Sequence, residues 1–82
     1  MGEGIVEITL GRVKEVVAGL RSRNALPYHE TLLNLKRWAQ GKGMTEKALL
    51  ESIEGLRKAG RIEVGRTLND WWIRPVENDK AK

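Results

Sequence analysis

Few residues in this chain of 82 are equipped for chemistry, and they do not converge. There is one histidine, His29, and no cysteine. A metal site needs three or four ligands, and His29 has only carboxylates such as Glu30 nearby in sequence. It reads as a surface or capping histidine. A serine nucleophile would need Ser22 or Ser52 beside His29, yet neither stands in a glycine-rich elbow. The carboxylates occur singly on expected solvent faces, so no acid–base pair stands out. Gly41-Lys42-Gly43 is too short to cradle a phosphate and follows a helix instead of a strand. These residues predict a binding module without metal or cofactor, and not an enzyme.

The remaining chemistry is cationic and aromatic. Lysine and arginine number 15 against 11 acidic residues, a net charge of +4. Such a balance favours polyanionic partners, because each neutralised phosphate releases condensed counterions. Composition, at 40% apolar and 32% charged, is that of one ordinary soluble domain. No apolar run approaches the roughly 20 residues that span a bilayer. The opening MGEGIVEITL lacks a basic stretch followed by an apolar core, so no signal peptide is expected. The absence of cysteine fits a reducing compartment, and a cytoplasmic location is expected.

Three helices are expected to position these groups. Residues 1–8 are acidic and alternate as Ile5-Val6-Glu7-Ile8, which predicts a short strand or an extended lead-in. Thr9 then caps a helix over about 10–23, with Leu10, Val13, Val16, Val17 and Leu20 as its apolar stripe. Asn24 ends it in a left-handed conformation. After the connector Ala25-Leu26-Pro27, with Pro27 suited to a first helical turn, a second helix covers about 28–40. Leu32, Leu35 and Ala39 form its inner face, extended by Trp38. Gly41-Lys42-Gly43 breaks that helix. Thr45 caps a third, whose inward residues are Ala48, Leu49, Ile53 and Leu56, and Gly60 closes it after Arg57 and Lys58.

A β-hairpin follows. With Thr67-Leu68-Asn69-Asp70 as a loop, Val64 faces Ile73, Glu63 faces Arg74 and Trp72 lies over Gly65. This register keeps charge off the apolar face made by Ile62, Val64 and Ile73. A tighter turn at Asn69-Asp70 would oppose Arg66 with Ile73. Trp71 and Trp72 point to opposite faces of one strand, and Trp72, flanked by Arg66 and Arg74, is expected to be the exposed ring. Residues 77–82, ENDKAK, have no apolar anchor and are expected to form a mobile tail.

Residues 9–76 resemble the winged helix-turn-helix superfamily. The resemblance is carried by LLESIEGLRKAGRIEVGRTLNDWWI: an apolar helix ending in basic-x-Gly, an Ile-x-Val strand, a polar tip and an aromatic return strand. It implies an α+β fold, a small three-helix bundle with a C-terminal β-hairpin wing, and usually duplex DNA as partner. In that geometry the third helix enters the major groove and the wing tip reaches the backbone or the minor groove. Lys42, Lys47 and Arg66 become the best-placed phosphate contacts, with Arg57, Lys58, Trp72 and Arg74 completing the expected nucleic-acid-binding set. The expected role is transcription regulation or another DNA transaction, close to the nucleoid; a homodimer through the first helix is allowed but not required.

Two features depart from the pattern. The outward stripe of the third helix, Lys47, Glu51, Glu54 and Lys58, has a formal charge of zero and suits a Glu54–Lys58 pair better than base edges. The connector before the second helix leaves little room for the strand that winged helices often place there, although Leu26 suffices for a one-residue bridge. The contrasting expectation is a protein-interaction domain using Trp72 and this neutral helical face.

Overall fold

The computed structural model describes residues 2–76. The order of elements is α1 (Gly2–Ser22), β1 (Glu30–Thr31), α2 (Leu32–Gly41), α3 (Glu46–Lys58), β2 (Ile62–Arg66) and β3 (Trp71–Pro75). Three helices pack with a three-stranded antiparallel sheet of order β1-β3-β2, an α+β architecture. The mobile tail expected over 77–82 lies outside the described residues.

The first correction concerns the start of the chain. Of the residues expected to form a strand or an extended lead-in, those from Gly2 onward belong to α1. The short Ile5-Val6-Glu7-Ile8 alternation has a strand-like period, whereas the helical stripe continues backwards from Leu10 through Val6. Val6 packs against the core. Thr9 is fully buried and is no cap: its hydroxyl donates to the Ile5 carbonyl at 2.8 Å, one turn back in the same helix. Glu7 meets Arg61 at 3.2 Å, tying this extra length to the corner between α3 and β2. At the other end, Asn24 takes the left-handed conformation (φ 53°), and the Ala25 amide donates to the Leu20 carbonyl at 2.8 Å.

The second correction lies between α1 and α2. The second helix starts at Leu32, not near 28, and Pro27 remains in the connector. The intervening strand exists, but at Glu30–Thr31, where it pairs with Ile73 and Trp72, and not at Leu26, which is exposed. Two residues that a helix would have used are taken by the free edge of β3, whose unpaired backbone groups need partners. Thr31 therefore has two roles. It is the last strand residue and the N-cap of α2, its hydroxyl accepting from the Asn34 amide at 3.3 Å. Glu30 is buried, and its carboxylate accepts from the Thr31 amide at 2.9 Å and the Asn34 side-chain amide at 3.3 Å.

α3 follows its sequence signals. Thr45 caps it by accepting from the Ala48 amide at 3.1 Å. Leu49, Ile53 and Leu56 are buried, and Gly60 (φ 75°) lets the Arg61 amide return to the Leu56 carbonyl at 2.9 Å. These residues join Leu10, Val13, Val17, Leu35, Ala39, Ile62 and Ile73 in one core. Each fully buried aliphatic side chain contributes about 1.5–3 kcal/mol. Among the described residues, no helix is long and apolar enough to cross a membrane.

Candidate functional site

The hairpin adopts the register of the four-residue loop, with Glu63 opposite Arg74, Val64 opposite Ile73 and Gly65 opposite Trp72. Its loop is closed by the Thr67 amide donating to the Asp70 carbonyl at 2.8 Å. The Asp70 carboxylate accepts from the Trp71 amide at 2.7 Å and, across the fold, from the Leu33 amide of α2 at 3.4 Å. One side chain thus fastens the hairpin tip to the N-terminus of a helix, where a negative charge is favoured. The sequence offered only Asp70's turn propensity as a clue; its distant partner had no local signal.

The two tryptophans exchange their expected roles. Trp72 is half-buried: it covers Gly65, lies 5.8 Å from the His29 ring and carries the Arg74 guanidinium at 5.0 Å. Trp71 is the more exposed ring at 39%, with the Arg66 guanidinium 4.7 Å from its centroid. Strand parity alone favoured exposing Trp72. The third strand reverses this, because β1 runs alongside Trp72 and brings His29 onto its face. Trp71 shares a face with Ile73 but sits at the tip end of β3, and there the face is less covered. Leu68, in the loop itself, is 93% exposed.

The expected cationic residues fall into two groups. Arg57, Lys58 and Arg74 are engaged by carboxylates. Arg57 binds Glu54 through two nitrogens at 3.2 and 2.7 Å, Lys58 approaches the same carboxylate at 3.8 Å, and Arg74 meets Glu63 at 2.8 Å. The hydrogen bond from Arg57 holds the Glu54 carboxyl below the ordinary glutamate range, and the reciprocal bond raises Arg57. Lys42, Lys47 and Arg66 are exposed and make no carboxylate ion pair among the described residues. Lys42 is the C-cap of α2 and Lys47 stands in the first turn of α3, so the two flank that helix's N-terminus. Lys58 lies eleven positions beyond Lys47 on the same helix, roughly 16 Å away at 1.5 Å per residue. The structure therefore does not gather the whole expected set in one place.

The outward face of α3 is charged but balanced. Lys47, Glu51, Glu54 and Lys58 are exposed, and Leu50 stands among them at 40% exposure. Lys36 of α2 pairs with Glu46 at 3.2 Å, fixing the two helices across their turn. Elsewhere, Ser52 is buried and the Ser22 hydroxyl donates to the Gly19 carbonyl at 3.0 Å. The His29 Nδ1 is buried without a hydrogen-bond partner among the described residues. Also among these residues, no cluster of three or more His, Asp or Glu could hold a metal.

Compared with known proteins, the chain matches no family model, no curated protein and no solved structure.

Proposed function

We propose that this domain is a winged helix that binds duplex DNA, acting in transcription regulation or another DNA transaction, and not an enzyme. The observation that carries the reading is topological. The elements run in the order α1-β1-α2-α3-β2-β3, and the short first strand sits on the β3 edge of the hairpin, in the sheet order β1-β3-β2. A short strand between the first two helices is a common feature of winged helices, and Glu30–Thr31 supports the reading in that way. Lys42 and Lys47 at the start of α3, and Arg66 at the hairpin tip, are the proposed phosphate contacts. They are exposed and free of carboxylate pairing among the described residues. Arg57, Lys58 and Arg74 are secondary, since phosphate would have to compete with Glu54 and Glu63 for them. A role inside the cytoplasm, at the nucleoid, belongs to the same proposal.

The test is the salt dependence of binding to a mixed-sequence duplex pool. Three phosphate contacts predict a slope of log K against log salt of roughly −3, and Arg66→Ala should reduce it by about 1 while weakening all sequences alike. A slope near zero discards the reading. A second reading, a protein-binding domain, is favoured by Leu50, whose exposed side chain lies within the neutral face of α3.

A further inference from the structure

We infer that the nucleic acid bound here presents an unpaired base or an open duplex end, received on the adjoining Arg66 and Trp71 side chains at the hairpin tip. This rests on the nucleic-acid reading above and names the substrate class. Large aromatic rings are mostly buried in folded proteins, but Trp71 is 39% exposed. Trp71 and Arg66 are register partners, so both side chains stand on the same face of the sheet. The guanidinium lies over the indole, 4.7 Å from its centroid. A guanidinium is flat on both sides and stacks on aromatic surfaces. Because Arg66 is itself exposed, its guanidinium over the indole extends the ring into a platform open to one more ring.

What can occupy that platform follows from base stacking. Inside an intact duplex both faces of every base are covered by neighbours. Only a terminal pair or an unpaired nucleotide has a free π-face, and such bases stack on aromatic and arginine planes. Leu68, nearly fully exposed in the adjoining loop, adds an apolar surface for which a phosphate contact has no use. The platform is also held in place before any ligand arrives, because Asp70 ties the loop to the Trp71 and Leu33 amides. Little ordering cost is then left for binding. The balanced charge on the outward face of α3 points the same way: base recognition falls to the hairpin, with α3 contributing Lys47 at its first turn.

The experiment uses the full chain at fixed ionic strength and two DNA probes of the same duplex sequence. One has both ends closed by non-nucleotide linkers; the other carries a single-stranded overhang. The readout is the ratio of their affinities. One stacked base predicts a preference of about tenfold for the overhang probe. Trp71→Ala should bring the ratio near unity, whereas Trp71→Phe, which keeps a ring, should retain most of it. Circular dichroism checks folding. Should Trp71→Ala fail to fold, Arg66→Lys keeps the charge but removes the flat plane, and it should lower the ratio as well. Equal affinity of the unaltered protein for both probes, or a preference that survives the loss of Trp71, overturns the inference while leaving the duplex-binding reading intact. Binding to neither probe overturns both.

Discussion

Trp72 lies flat across Gly65, so close that a Cβ on residue 65 would run into the indole. This is the one glycine among those described at which space, and not backbone conformation, demands the missing side chain. Gly65→Ala should displace the ring from its place beside His29 and Arg74 and destabilise the domain by about 1–3 kcal/mol, as overpacking does. Gly55 is the control. It lies inside α3 and faces open space, so Gly55→Ala should stabilise by about 0.5–1 kcal/mol. Thermal unfolding of the two variants should shift in opposite directions.

Asp70 supports the hairpin through its bonds to the Trp71 and Leu33 amides. Asp70→Ala removes both acceptors and should cost about 1–2 kcal/mol, the range for a lost helix cap. Hydrogen exchange should locate the damage. The Leu33 amide loses protection in the variant, while Asn34, still bonded to Thr31, keeps most of its own. Unchanged exchange at Leu33 would show that the hairpin and α2 are not coupled through this side chain.

The Glu54–Arg57 pair sets a pH dependence of known sign. Because the hydrogen bond from Arg57 lowers the Glu54 pKa, the pair favours the folded state above the ordinary glutamate pKa of about 4.3. That contribution disappears as pH falls through the lower folded value. Both groups are exposed, so the effect is small and screened by salt. Carboxyl NMR titration should find Glu54 below its ordinary value, and Arg57→Ala should move it back up. The melting-temperature difference between the variant and the unaltered protein should close in acid.

Val6 tests the longer first helix. It is half-buried against the core from a segment that strand periodicity would have placed elsewhere. Val6→Asn should cost about 1 kcal/mol by removing part of a buried aliphatic side chain. Ile8, 53% exposed, is the contrasting position; Ile8→Asn should change stability little. Equal effects at both sites would contradict the helical phase of this segment.

Sequence by itself determined the features whose causes are local. The caps of Thr45 and Gly60, the left-handed Asn24 and the inward stripe of α3 follow from residue types a turn or less apart. The hairpin register also follows, since the four-residue loop sets Val64 opposite Ile73 and Glu63 opposite Arg74. Tertiary structure decided everything that needed a distant partner. The free edge of β3 turned Glu30–Thr31 into a strand and shortened the second helix, and the core drew residues before Thr9 into α1. It also buried half of Trp72 under a loop from before β1 and left Trp71 beside Arg66 at the tip. Strand alternation tells which side of the sheet a ring takes, but not how far the helices and the third strand extend to cover it; that depends on contacts between segments far apart in the chain.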